Sequence, residues 1–465
     1  MTSLGVHLDD AAFAVARDGV SLSRAPSVVH ADPTDPTRFG RLALDAARRS
    51  PHQVSTAHWA SLARGVEASR AAMPVLRAEL RARLAESYRE GDALRLAVPA
   101  PLDPAALAWV LGACRAESLP VTALYDAAAV AVAALGLEGS VVVLEAGLHH
   151  VAATRVLAEG GTARRRTSRI ARDAGLMPLR QAWMQTVAEA MLLRARFDPL
   201  HDAATEQQLF DLLDAAAAEA AAVGSTTVAL PTRSGTSVSV TLSRDQLAAA
   251  ARPMQRAAIA LIEGLRSADA ASTLVIPAGW TTVPGLCDAL IGMSGMRAVP
   301  LPEGLIARAA SRIAPDAREG AAAAADLPAD DAVTLHRSVT FVAPLEAATD
   351  LTVADAAAAS RLAPPTHLFW NGEAVALSDA IEIGRAPAPG GVRLDEGLAG
   401  ISRLHCSLRP SQQGIEVVDH SRHGTWVNGR RIAGRATLMA GDRLRIGDPG
   451  VELALIAVGG GADAR

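Results

Sequence analysis

Two periods of apolar spacing take turns along the chain from its start to residue 313. Gly5-Val6-His7-Leu8 and Ala12-Phe13-Ala14-Val15-Ala16 predict two short strands around Asp9-Asp10, a pair that reads as a solvated turn. Residues 41–49 and 75–90 carry helical periodicity. Residues 94–98 predict a strand, then a proline-rich turn, then a helix that Asp103 caps with Pro104 in its first turn. A strand over 121–124 follows, and Asp126 opens an alanine-rich helix. Residues 140–144 and 151–156 predict a hairpin across 145–150, whose His149-His150 reads as a surface turn. Helices over 186–195 and 205–222 precede a second strand pair, 226–230 with 237–242. Ser243 caps a long helix reaching 265; a strand over 273–276, a loop over 279–284 and a helix over 286–291 close the series. Strands alternating with helices predict an α/β body.

Beyond residue 314 the pattern stops. The stretch is acidic, alanine-rich and proline-punctuated, a linker by composition, with one isolated strand over 338–342. Short strand-like runs resume after Pro364-Pro365, and the last residues read as a disordered tail. The division is therefore 1–315 for the body, 316–363 for the linker, 364–458 for a small β domain and 459–465 for the tail.

Composition narrows this picture. Of 465 residues half are hydrophobic but only 3% aromatic, so the cores must be built from Ala, Leu and Val. A formal net charge of -4 gives no electrostatic case for nucleic acid. No apolar run reaches the length of about 18 residues that a membrane span needs, and a cytoplasmic protein is expected. Cys114, Cys287 and Cys406 are too scattered for a disulfide framework or a zinc site and read as buried free thiols. The chain contains no lysine.

Candidate chemistry concentrates near the C-terminus. Gly384-Arg385 follows the strand-like Ala380-Ile381-Glu382-Ile383, and Ser402-Arg403 forms a second polar turn. Placed at one end of a sandwich, these turns set two guanidiniums beside a hydroxyl, a donor set suited to phosphate. The blocks Gly384-Arg385, Ser402-Arg403-Leu404-His405, 419–429 (DHSRHGTWVNG) and Gly441-Asp442 stand in one order, and that series resembles the forkhead-associated (FHA) domain, a phosphothreonine-peptide reader. The resemblance implies an all-β sandwich in which Arg385, Ser402, Arg403, Arg422, His423 and Asn428 meet the phosphopeptide. It implies supporting roles for Gly384, His405, Gly424 and Thr425, with His405 bracing the loop that carries Ser402. The position before Gly424, often Asn in that family, is His423, which puts residue selectivity in doubt but not the phosphate contact. Trp370 and Trp426 read as core residues. Asp419-His420-Ser421 has the residue types of a hydrolase triad, but sequence neighbours do not form that geometry.

The first 313 residues resemble the ATPase domain of the actin-like (ribonuclease H-like) superfamily, closest to the DnaK-type heat-shock chaperones. The resemblance rests on the serial order of 4–19, 94–136, 141–156, 274–290 and 301–310. The implied nucleotide site is degenerate. Where the family has Asp-x-Gly-Thr-Thr, this chain has His7, Leu8, Asp9, Asp10 and Ala11. Where it has Asp-x-Gly-Gly-Gly-Thr, the chain reads Glu145, Ala146, Gly147, Leu148, His149 and His150. Of the adenosine-loop glycine pair only Gly279 is left, followed by Trp280, and the family's phosphate lysine has no counterpart. A carboxylate about 4 Å from a phosphate costs about 1 kcal/mol even in water.

The expectation is a multi-domain adaptor or scaffold: an α/β actin-like body without ATPase activity, then an all-β FHA sandwich. Its partner would be a phosphothreonine protein, with a paralogous chaperone-like protein as a second candidate. No metal or cofactor is expected, ATP with magnesium being disfavoured, and neither nucleic acid nor membrane is a partner. Two alternatives stay open: a divergent DnaK-like ATPase localised by its FHA domain, and a structural assembly protein. Thr340, Thr349 and Thr352 are candidate self-ligands in the linker.

Overall fold

The computed structural model describes residues 2–30, 38–85, 87–232, 236–265, 272–292, 296–313, 335–341, 344–351, 367–370, 373–394, 400–411, 414–427, 430–432, 434–438, 442–448 and 450–456. The chain divides into two compact units, Met1–Ala358 and Ala359–Arg465. Asn428, Gly441, Thr352 and the tail lie outside the described residues.

The first unit contains two six-stranded mixed sheets built alike. In the first, Ser3–His7, Phe13–Arg17 and Val20–Ala25 form an antiparallel meander. Ser3–His7 then pairs in parallel with Ala93–Val98, which pairs in parallel with Val121–Asp126. In the second, Gly139–Ala146, His150–Glu159 and Thr162–Arg172 form the meander. Gly139–Ala146 pairs in parallel with Ser272–Pro277, and that strand with Met296–Leu301. Parallel neighbours require long crossovers, which the helices between them supply. Local chemistry fixes the helix starts: Asp103 accepts the Ala106 N–H at 2.8 Å, Asp126 that of Ala129 at 3.0 Å, and Ser243 with Gln246 forms a reciprocal capping box.

Ala127–Ala134 is buried at every position. Its small side chains let it pack closely against the second sheet, which explains how a chain so poor in aromatics closes its core. The longer helices Leu176–Ala195, Ala203–Val223 and Arg244–Glu263 enclose the hairpin Ser225–Pro231 with Ser237–Ser243 in a separate apolar cluster.

Two expectations change here. The stretch assigned to the linker contributes Leu335–His336 to the first sheet and Ser338–Thr340 to the second. Thr340 is thereby engaged in the body, its hydroxyl 2.9 Å from that of Thr162. The strand Thr162–Arg172, with its run Arg164-Arg165-Arg166, was not expected; it is held by ten paired positions against His150–Glu159. All three cysteines are buried and free.

The second unit is two facing antiparallel-rich sheets. One takes the order Glu373–Ala376, His367–Trp370, Val451–Ile456, Arg443–Ile446, Thr425–Val427, Arg430–Arg431. The other runs Val392–Arg393, Ile381–Gly384, Cys406–Ser411, Gly414–Asp419, Arg435–Leu438. Alternating inward residues, among them Leu368, Ile383, Leu408, Val417, Leu444 and Leu455, form its core. Trp370 packs on that core. Trp426 corrects its expected place: it is partly exposed, with the Arg445 guanidinium 3.9 Å over its ring.

Candidate functional site

Three turns meet at one end of the sandwich. Gly384 ends the strand Ile381–Gly384, and a Cβ there would lie 2.2 Å from the Arg403 carbonyl oxygen, so only glycine admits the second turn this closely. The next residues are stitched to it: the Arg385 N–H donates to the Ser402 carbonyl at 3.1 Å, and that of Ala386 to the Arg403 carbonyl at 2.9 Å. The third turn arrives through Arg422, whose N–H faces the Ser402 hydroxyl at 3.5 Å.

Buried groups hold these turns. His405 is fully buried; its Nδ1 accepts the Ser402 N–H at 3.1 Å, and its Nε2 lies 2.8 Å from the Gly424 carbonyl. That pairing fixes the tautomer with the proton on Nε2. Burial is the main cause that lowers the His405 pKa below its ordinary value, keeping the ring neutral. Asp419 Oδ1 accepts both the Ser421 N–H and the Thr425 hydroxyl at 2.9 Å, and the Ser421 hydroxyl accepts the Gly424 N–H at 2.7 Å. Burial opposes ionisation of Asp419, but these bonds outweigh it and hold the carboxyl below its ordinary value. Asp419 is thus committed to the turn, while His420 bonds to Ser407 at 2.9 Å, so no triad forms.

What the turns leave over is cationic. Among the described residues, the guanidiniums of Arg385, Arg403 and Arg422 have no ion-pair partner, and the buried Nε of Arg385 has no hydrogen-bond partner. Arg403, Arg422 and His423 are exposed, and Ser402 is partly so. A buried guanidinium N–H without an acceptor is costly unless a ligand supplies one. Asp419 and Ser421 were not among the candidate residues. Their signal was the Asp-x-Ser spacing ahead of Gly424, a side-chain-to-backbone turn motif.

The first unit has its own cleft, a cavity of about 920 Å³ counting its open side, lined among others by His7, Asp9, Asp10 and Glu145. Gly279 borders an adjoining hollow that His7 and Asp9 share. Asp10 is not in a solvated turn: it is 4% exposed, and its Oδ1 accepts the Leu148 N–H at 2.9 Å, bonding the first hairpin to the second. His149 and His150 are not a surface turn either. His149 Nε2 lies 3.0 Å from the Thr56 hydroxyl, and the His150 ring covers Gly147 so closely that a Cβ there would meet it at 2.0 Å. Tertiary packing of two hairpins buries what reads locally as polar turns. Desolvation by burial pushes Glu145 up to about 8, Asp9 to about 7 with help from Asp10, and Asp10 to about 6. Burial, with Arg24 adding to it, holds His7 down at about 3. No group of three or more His, Cys, Asp or Glu side chains placed to hold a metal ion occurs among the described residues. No helix among them is long and apolar enough to cross a membrane.

The family model of the FHA domain matches residues 381–447, the span from the strand before Arg385 to the strand end at Ile446-Gly447. The chain therefore carries an FHA domain, which implies phosphothreonine-peptide binding and a protein-interaction role. No curated protein matches the chain.

Proposed function

We propose that this protein is an adaptor whose sandwich captures a phosphothreonine on a partner protein and whose first unit acts without hydrolysing ATP. The phosphate contacts come from Arg385 and Arg403, with the Ser402 hydroxyl between them and Arg422 and His423 at the exposed rim. The observation that carries this reading is the Arg385 side chain, its Nε buried without an acceptor beside turns that buried His405 and Asp419 hold in place. Preformed donors of this kind need no rearrangement to receive an oxyanion.

For the first unit we read a degenerate actin-like body. Support comes from two sheets sharing one order of meander and parallel strands. Its cleft residues do not fit ATP with magnesium. Three carboxyl residues line the cleft, the His150 ring fills the space over Gly147, and no lysine exists in the chain. Each acid that ionises repels an anion, and backbone approach to phosphate at Gly147 is blocked.

The test is fluorescence anisotropy with a phosphothreonine peptide library. Each charge-assisted bond is worth about 1.5–3 kcal/mol, so Arg385→Ala should weaken binding by about tenfold to a hundredfold. Equal affinity of wild type and variant removes the proposal. Calorimetry with ATP and Mg²⁺ tests the first unit, and turnover there would replace the adaptor reading with the ATPase one.

A further inference from the structure

The cleft of the first unit presents buried acceptors that nothing in the fold satisfies. Asp10 commits Oδ1 to the Leu148 N–H, while its Oδ2 has no partner among the described residues. Glu145 repeats the arrangement from the other hairpin: Oε2 accepts the Ala100 N–H at 3.0 Å, and the buried Oε1 has no partner among them. Asp9 lines the same cavity as a third acid. Much of the remaining wall is hydrocarbon, including Leu102, Leu144 and Ile170, with Trp59 beside them. The Trp59 indole N–H is taken by Glu79 at 2.8 Å, which leaves the ring as its contribution.

The neighbouring cations form no ion pair with these oxygens among the described residues. Arg24, whose charge acts on Asp9, pairs with Glu303 at 3.0 Å, and Arg64 at the cavity pairs with Asp173 at 3.7 Å. Arg165, whose charge acts on Glu145, pairs with Asp126 at 2.8 Å. Arg172 also lines the cavity and, among the described residues, bonds neither Asp10 nor Glu145. A divalent metal is a poor occupant, because hard cations need several oxygens converging on one point and no such group occurs among the described residues. An anion is repelled by each of these acids that ionises. Acceptors set apart on an apolar wall match a cation that is itself mostly hydrocarbon, its N–H groups on the carboxylates and its body on the wall.

We propose that this cavity binds a small organic ammonium ligand, with Asp10 and Glu145 accepting its N–H groups and the wall around Leu102, Leu144 and Trp59 holding its apolar part. The raised pKa values of these acids fit a site that ionises fully only when a cation enters. The site belongs to the first unit and stands whether or not the sandwich reads phosphate.

Calorimetric titration of the full chain with phenethylamine, and with phenethyl alcohol as its uncharged analogue, tests this. Saturable one-to-one binding of the amine is expected, with the alcohol about tenfold weaker or worse. Asp10→Asn and Glu145→Gln each keep a carbonyl for the backbone N–H that the acid now holds, so both variants retain the bonds that fix the hairpins. Each should lower amine affinity about tenfold, with circular dichroism confirming the fold. No saturation by about 10 mM amine, equal affinity for the alcohol, or unchanged affinity in either folded variant overturns the proposal.

Discussion

At the tip of the sandwich the buried His405 and Asp419 are bonded and the groups left unpaired are cations; in the cleft of the first unit the groups left unpaired are buried acids. His405 and Asp419 spend their polar atoms on backbone and hydroxyl partners, leaving the arginine side chains unpaired. Asp10 and Glu145 each spend one oxygen on a backbone N–H and keep the other buried and unpaired. An unpaired cation near solvent keeps its charge and waits for an anion. An unpaired buried acid favours its protonated form instead, in line with the raised values of Asp10 and Glu145. The comparison teaches that a leftover polar group announces a ligand only together with its protonation state.

The largest effect should be a difference between the two units in their response to pH. An acid with a raised folded pKa keeps a proton that the unfolded chain has already released, so acidification stabilises the fold. Glu145 at about 8, Asp9 at about 7 and Asp10 at about 6 start that gain near pH 8 and carry it down to the ordinary carboxylate range, its first part falling between pH 8 and 6.5. With a tenfold shift worth about 1.4 kcal/mol, the first unit should gain about 3 kcal/mol over that window. Below 6.5 the gain continues more slowly, because buried His7 at about 3 and His150 at about 4 stay neutral while the unfolded chain takes up protons, which offsets part of what the acids contribute. The sandwich has no matching gain. His405, lowered by burial, contributes stability that is present above 6.5 and lost below it, and lowered Asp419 adds a loss only below about 3.8. Hydrogen exchange at pH 8, 6.5 and 5, read separately on peptides of each unit, checks this; parallel responses would erase the contrast.

The tip was far more legible in the sequence than the cleft. Gly384, Arg385, Ser402, Arg403, His405 and Gly424 lie in short turns between strands, and a turn's chemistry is set by residues a few positions apart. Asp103, Asp126 and Ser243 were readable as caps for the same reason. The cleft depends on contacts such as Asp10 to Leu148, 138 positions apart, which no local pattern carries. Asp9-Asp10 and His149-His150 therefore read as solvated turns until two hairpins close on them. Thr162–Arg172 was hidden because its arginine-rich run reads locally as a polar loop, and only long pairing with His150–Glu159 makes it a strand. Leu335–His336 is too short to announce itself, and Ser338–Thr340, which was legible as an isolated strand, gives no local sign of the sheet it joins.

A smaller effect should follow from loosening the brace at the tip. His405→Ala removes the acceptor for the Ser402 N–H and the donor to the Gly424 carbonyl, and leaves a void in the sandwich. The cost should be about 2 kcal/mol of sandwich stability, with phosphopeptide affinity falling although no phosphate contact is deleted. Exchange in the first unit should not change. Full phosphopeptide affinity in His405→Ala would mean that the arginines need no brace, and the contrast between bonded braces and unpaired cations would fail at the tip.

The smallest effect concerns whether the cleft is closed to phosphate by packing or by charge. Gly147 does not need a left-handed backbone, and the three atoms nearest an added Cβ all belong to the His150 ring, the first at 2.0 Å. Overpacking of this kind costs about 1 kcal/mol when a ring at a cleft can partly give way. Gly147→Ala should therefore lower the urea midpoint modestly, and adding His150→Ala should recover that loss, a coupling of about 0.5 kcal/mol or more. Additive losses would show that the ring does not rest on Gly147. The same pair of variants separates the two barriers to nucleotide. His150→Ala reopens the space above Gly147 but leaves Asp9, Asp10 and Glu145 in place, so binding of magnesium ATP should still be absent by calorimetry. If removing the imidazole alone admits the nucleotide, packing rather than the acids sets the character of the cleft, and its contrast with the cationic tip is steric rather than electrostatic.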